Sequence, residues 1–325
     1  MKNVHNLKKA VCFCFDTMNT IAIEHENNEP LKECIDLCHE IERLMSRFKS
    51  NSDISRINRS DGKETLVDDM TVDIIQKSIL LNEVTYGSFD ISVGAVSSLW
   101  QFTSDQCDVP SQWQLDEKSK YIDSKKISVK ENRISIAKGM KIDLGGIAKG
   151  YAADQVTEIL KKHHIKKGYI NLGGNIKVIG SGEKGKGFRV GIQSPFDLSS
   201  ICGILKLENK FVSTSGIYER CFTYNHVDYH HILDTDTGLP VQNSLASVSL
   251  VTSNGTLGDA LSTACMCMGF ETSLNFVKGY TQDKIEVLFI FRDGKVYWHG
   301  EPEHFVFQTA ERSEHKSKYE STIAR

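Results

Sequence analysis

Four short segments of this chain carry residue types that can do chemistry together. In Gly258-Asp-Ala-Leu-Ser-Thr-Ala264 a carboxylate, Asp259, and a hydroxyl, Thr263, lie four residues apart, a spacing that stacks them on one face of a helix. Two oxygen ligands so placed suit a hard cation such as Mg²⁺, which takes few protein ligands and completes its shell with water and substrate phosphate oxygens. An ordinary helix start, with Asp near the first turn favouring the dipole, uses the same residues. Asp143-Leu-Gly-Gly-Ile-Ala-Lys-Gly-Tyr-Ala-Ala-Asp154 reads as a strand end that turns through glycines into a helix. Its first amides, with Lys149 one turn along, would offer positive charge to an anion; a tight turn with no ligand fits the spacing equally. Tyr229-His-His-Ile-Leu-Asp-Thr-Asp-Thr-Gly238 reads as a strand entering a turn. His230 and His231 then point to opposite faces, so at most one serves a site, and a structural histidine is the alternative for either. Ser213-Thr-Ser-Gly-Ile-Tyr218 is polar and glycine-broken, as a bulge or bend would also be.

The elements that must position these segments follow from periodicity. Residues 11–25 alternate as a strand, and Leu31, Cys34, Ile35, Cys38, Ile41, Met45 and Phe48 recur at helical spacing over 30–48. A polar segment, 46–60, precedes a second helix through Val72, Ile75, Ile79 and Val84 that Gly87 closes. Residues 100–125 read as irregular, 126–144 as a hairpin, 145–162 as a glycine turn and helix, and 168–179 and 188–193 as strands. Residues 201–251 are mostly β-like, a helix of small residues spans about 257–269, and two strands flank Arg292-Asp-Gly294. This irregular interleaving predicts an α+β fold, a single domain over 1–308 and a frayed polar tail over 309–325. Gly180, Gly182 and Gly185 satisfy the dinucleotide fingerprint, but a strand follows them where the fingerprint needs a helix N-terminus.

Composition bounds the partners. Hydrophobic residues make up 40% of the 325 and charged ones 25%, which is globular usage and excludes a disordered chain. Acidic residues outnumber basic ones 42 to 39, so the basic footprint of a nucleic-acid binder is missing and any anion must be met locally. No window approaches the apolar length of a membrane span. Nine scattered cysteines form neither a disulfide framework nor a zinc spacing, and are expected as buried small hydrophobes in a reducing compartment. Val11–Phe15 is too short for a signal-peptide core. A cytoplasmic location is expected, or an exported or lipid-anchored one if a leader has been removed.

In order along the chain, these segments resemble the ApbE-like flavin transferases. The resemblance spans about 13–300 and includes Phe15-Asp-Thr-Met-Asn-Thr20, Ser52-Asp-Ile-Ser-Arg-Ile-Asn58, Gly87-Ser-Phe-Asp-Ile-Ser-Val-Gly94 with Leu99-Trp100, and Asn171-Leu-Gly-Gly174. Val190-Gly-Ile-Gln193, Thr214–Tyr218, His231–Asp234, Thr237-Gly238 and Asp259–Thr263 continue it. It implies an α+β sandwich of mixed and antiparallel sheets with flanking helices and a smaller lobe, FAD lying in the cleft between. The implied reaction moves FMN from FAD to a Ser or Thr hydroxyl of a separate acceptor flavoprotein and releases AMP. An FAD pyrophosphatase and a non-catalytic FAD-binding protein are the alternatives within the family. Carried over residue by residue, Asp259, Thr263 and the Gly146 carbonyl would ligate Mg²⁺. His231 would act on the incoming hydroxyl or orient the phosphate, with Asp234 fixing its orientation. Ser215, Gly216, Tyr218, Asp90, Gly94 and Lys149 would line the nucleotide, and Ser55 and Asn58 would form a flap over the flavin. Three positions depart from the pattern: Asn19 for Gly, Asn175 for Asp and Thr235 for Pro. On this reading, removing the Asp259 carboxylate abolishes turnover and spares the fold.

Overall fold

The computed structural model describes residues 7–102, 108–182, 185, 187–307 and the backbone of 321–323. Its frame is a nine-stranded sheet in the order Lys8–Cys14, Thr17–Ile23, Gly168–Leu172, Asn175–Ile179, Phe211–Gly216, Leu245–Thr252, Glu286–Phe291, Val296–His299 and Ser321–Ile323. Every pairing but the last is antiparallel. Leu245–Thr252 is buried along its whole length, because its neighbours are covered on both faces. Alternate residues serve the two cores: Phe211, Leu250, Val287 and Phe289 pack under the helices, whereas Val212, Val251, Leu288 and Ile290 pack against a three-stranded sheet. That smaller sheet is Phe305–Phe307, Ile201–Leu207 and Phe188–Gln193. A third small core joins Val96, Trp100, Leu115 and Leu233 to the aromatic side of the hairpin Cys221–Tyr224 and Val227–His230.

The helices are α1 (Glu29–Met45), α2 (Asp53–Asn58), α3 (Asp69–Val84), α4 (Gly94–Ser97), α5 (Gln112–Ser119), α6 (Ala148–Lys162), α7 (Gly255–Met268) and α8 (Phe270–Gly279). Expected helices α1, α3, α6 and α7 are present; α2, α5 and α8 are not marked by periodicity. Local caps make α2 and α5: the Ser52 hydroxyl accepts from the Ser55 amide, and Ser111 with Gln114 forms a capping box over a helix that buries only Leu115. Gly269, at φ +73°, separates α8 from α7. The expected single strand over 11–25 is a hairpin, turned at Phe15 and Asp16, both at positive φ.

Buried thiols at Cys12, Cys14, Cys34, Cys38, Cys202 and Cys265 match the expectation, but Cys221 is exposed on its hairpin; all are free, and Cys107 lies outside the described residues. The tail expected to fray also lies outside them, apart from Ser321–Ile323, which pairs in parallel with Val296–Trp298. No helix among the described residues is long and apolar enough to cross a membrane.

Helices α6 and α7 bring their backbones into near contact at Gly150 and Gly255. A Cβ added to Gly150 would lie 2.1 Å from the Gly255 carbonyl oxygen, and one added to Gly255 would lie 2.5 Å from that of Gly150. Backbone cannot yield as a flexible side chain does, so even a methyl group must push the helices apart. Gly150→Ala is expected to lower unfolding stability by about 1–3 kcal/mol, the usual range for overpacking. Denaturant unfolding checks this, and an unchanged midpoint contradicts the packing described.

Candidate active site

At their crossing, α6 and α7 satisfy each other's first turns. The Asp154 carboxylate of α6 accepts from the Gly255 amide (2.7 Å), the Thr256 amide (2.7 Å) and the Thr256 hydroxyl (2.6 Å) at the start of α7. In return Asp259 Oδ2 of α7 accepts from the Gly150 amide in the first turn of α6 (2.8 Å). All three are amides that a helix leaves without an internal partner, and all meet a negative charge at a helix N-terminus.

The other Asp259 oxygen, Oδ1, accepts from Asn175 Nδ2 at 2.8 Å, and the Ser213 hydroxyl lies 2.9 Å from Asn175 Oδ1 and 3.3 Å from Asp259 Oδ1. Asn175, Ser213 and Asp259 are all buried. The departure at 175 therefore has a local reason: the amide donates to Asp259, where an ionised Asp would set two buried carboxylates together.

One turn further along α7, Thr263 Oγ1 lies 3.4 Å from Ser215 Oγ, which is 2.7 Å from Ser262 Oγ. Gly146 reaches the same spot, since a Cβ there would sit 3.2 Å from Thr263 Oγ1. Asp259, Thr263, Ser215 and the Gly146 turn thus form one oxygen-rich patch. Its chemistry fits a hard cation: one carboxylate and neutral oxygens, with Asp259 Oδ2 accepting, among the described residues, only from the Gly150 amide and so keeping a second lone pair. Among the described residues no group of three His, Cys, Asp or Glu gathers to hold a metal, so a softer, fully protein-ligated ion has no donor set here. Asp259→Ala would also strip acceptors from the Gly150 amide and Asn175, so a stability cost is expected beside the loss of turnover.

The turn that carries Gly146 is clamped from below. Asn58 donates to the Ile142 carbonyl (2.9 Å) and accepts from the Ile142 amide (2.6 Å), and the Asp143 amide donates to Ile91 O (2.8 Å). Gly94 must be glycine, because a Cβ there would meet Lys141 O at 2.5 Å. Asp143 itself accepts from the Gly145 amide and the Ser97 hydroxyl and pairs with Arg47 Nε at 3.3 Å. Asp90 is used up likewise, by the amide and hydroxyl of Ser92, Asn82 Nδ2 and the Ser124 amide. Ser55 donates to Arg47 O at 3.0 Å. Asp90 and Gly94, expected at the nucleotide, and Ser55 and Asn58, expected in a flap over the flavin, make these contacts to the frame that shapes the turn.

His231 follows the hairpin strand Val227–His230. The hairpin register pairs Cys221 with His230, and the His231 amide donates to Arg220 O at 3.1 Å. Burial pushes the His231 pKa down to about 4, helped by the positive charges of Arg220 and Lys149, so the imidazole is neutral at pH 7; its buried Nδ1 has no hydrogen-bond partner among the described residues. His230 is 1% exposed, its Nε2 3.2 Å from Val241 O, and burial lowers its pKa to about 4 as well. Asp234 does not orient His231 as expected: Oδ1 accepts from the Asp236 and Thr237 amides and the Thr237 hydroxyl, closing its own turn. Gly216 lets the Tyr218 ring close over the strand, since a Cβ there would lie 2.4 Å from it, and burial pushes the Tyr218 phenol up to about 12. Arg220, Ser213, Asn175 and Ser262 escaped sequence reasoning as site residues. Only the departure at Asn175 signalled any of them; Arg220 depends on the hairpin register, and Ser213 and Ser262 on the packing of α7 against the sheet.

The architecture is that of solved flavin transferases. It is similar to the crystal structure of the ApbE protein from Thermotoga maritima, with TM-score 0.83 and 28% identity, covering 89% of this chain and 96% of that one. The flavin transferase ApbE from Vibrio cholerae is similar at TM-score 0.80 and 25% identity, covering 92% and 100%. Among curated relatives, an FAD:protein FMN transferase of Treponema pallidum is 29% identical over 289 residues, 83% of this chain and 79% of that one, and one of Buchnera aphidicola is 32% identical over 71% of each. The chain belongs to the ApbE family, whose sequence pattern it matches over residues 15–289.

The buried neutral His230 makes stability pH-dependent. Its pKa falls from an ordinary 6.5 to about 4 on folding, so between those values the unfolded chain binds the extra proton. Stability is then full above about pH 6.5 and is lost as pH falls towards 4, by up to about 1.4 kcal/mol per pH unit from this group. Urea unfolding of the wild type and His230→Asn across that window checks it. A stability difference that does not change with pH contradicts the assignment.

Proposed function

We propose that this protein is an Mg²⁺-dependent FAD:protein FMN transferase, with FAD as the donor and a Ser or Thr hydroxyl of a separate flavoprotein as the acceptor. The observation that carries the reading is the gathering of Asp259, Thr263, Ser215 and the Gly146 turn into one oxygen patch in a chain that matches the family over 15–289. In the reaction the acceptor oxygen bonds to the FMN phosphorus, the anhydride P–O bond breaks, and AMP leaves with the bonding electrons. The hydroxyl proton passes to a base or to water.

Asp259, Thr263 and the Gly146 carbonyl would hold the metal, which when bound neutralises pyrophosphate charge as the anhydride opens. The chain's own groups do the rest. The α6 N-terminal turn offers positive potential and Lys149 a full charge, and Lys149 has no ion-pair partner among the described residues. His231, held neutral, accepts a hydrogen bond from the incoming hydroxyl and aligns it. A protonated ring would instead be a donor and could not. Ser215 and Tyr218 line the same side and exclude water.

Incubation of an acceptor domain with the protein, FAD and Mg²⁺, followed by intact-mass spectrometry with AMP release measured in parallel, tests the reading. An acceptor mass gain of one FMN less water, lost with EDTA, is expected. Thr263→Val should lower turnover at least about tenfold while keeping the wild-type unfolding midpoint, because the Thr263 hydroxyl makes only 3.4 Å contacts within the chain. Asp259→Ala should lose turnover and about 2–4 kcal/mol of stability, from two stranded buried donors. AMP release without labelling of any acceptor points to hydrolysis, and EDTA-insensitive labelling overturns the metal assignment.

A further inference from the structure

Arg220 stands beside His231 with a charge that the fold engages through one exposed ion pair. Cys221 pairs with His230, so Arg220 and His231 are the next opposed residues of the hairpin. Directly opposed residues of antiparallel strands project to the same side, a few ångströms apart. The guanidinium and the imidazole therefore rise together at the hairpin end, and Lys149 brings a second positive charge to bear on the same ring from the first turn of α6. Among the described residues the ion pairing of Arg220 is a single contact, Nη2 to Asp16 Oδ2 at 3.2 Å, with the side chains 44% and 72% exposed. Such a pair is worth little and exchanges readily for a better acceptor, and a phosphate offers the fork of a guanidinium two parallel hydrogen bonds. Asp16 is fixed in the tight turn between the first two strands, at φ +60°, which makes it a resting counter-ion near the site. In a chain of net charge −3, two cations around one imidazole are a local arrangement for an anion.

We propose that Arg220 is a substrate-binding residue, its guanidinium leaving Asp16 to take a phosphate oxygen of the flavin dinucleotide beside His231. The assignment rests on the transferase reading above. Asp16 competes with the substrate for the same group, so removing either residue of the pair should act in opposite directions, as a merely structural ion pair would not.

The test is the FAD dissociation constant, from quenching of flavin fluorescence with Mg²⁺ present, together with kcat, for the wild type, Arg220→Gln, Arg220→Lys and Asp16→Asn. Arg220→Gln should weaken FAD binding about tenfold, the loss of one charge-assisted contact; Arg220→Lys should recover part of that, and Asp16→Asn should tighten binding a few-fold. Arg220→Gln binding FAD within twofold of the wild type overturns the proposal, as does Asp16→Asn weakening binding in step with Arg220→Gln. A wild-type protein that does not bind FAD overturns the transferase reading itself, and this assignment with it.

Discussion

Two aspartates exchanged between two helices hold the site together. Asp154 of α6 satisfies the open amides of α7, and Asp259 of α7 satisfies one of α6. The exchange is possible only because Gly150 and Gly255 let the helix backbones touch, bringing each carboxylate within reach of the other helix's first turn. Capping contacts of this kind are worth about 1 kcal/mol each in simple helices; here they also fix where the Asp259 carboxylate sits. From that point Asn175 and Ser213 tie the carboxylate to the sheet, and Thr263 falls one turn away, beside Ser215 and Gly146.

The electrostatics follow from this geometry. The positive potential of this acidic chain is gathered locally: Lys149 and Arg220 both bear on an imidazole kept neutral by burial and by those same cations. A single carboxylate among neutral oxygens leaves a hard cation underbound until phosphate oxygens arrive. On the proposed reading, phosphate oxygens of the dinucleotide would complete the shell of such a cation, and the protein would supply the frame that holds both. Asn58, Asp90 and Gly94 belong to that frame, since their polar atoms or missing Cβ serve the backbone of 141–143, Ser92 and Ser124.

Much of this was legible in the sequence. Periodicity placed α1, α3, α6 and α7, and the irregular alternation of elements gave the α+β class. The Asp259–Thr263 spacing was readable because a helix converts four residues into one face. Pairings across the sheet were not: Arg220 meets His231 only through the hairpin register, and Asn175 meets Asp259 only because strands distant in sequence lie together. Roles carried over on resemblance failed where a side chain closes a local turn, as Asp234 does, for a carboxylate three residues from a histidine has no reason to reach it when its own amides are nearer. The hairpin at Phe15 and Asp16 was missed because alternation continues on both sides of a two-residue turn.

The central claim is that the protein offers an incomplete oxygen cluster that a hard cation and the flavin dinucleotide complete together. Titrating FAD into the protein with and without saturating Mg²⁺, and Mg²⁺ with and without FAD, measures that coupling directly by isothermal calorimetry. The account predicts that each ligand tightens the other by the same factor, at least about tenfold, as linkage requires. An FAD affinity that is the same with and without Mg²⁺ would contradict it.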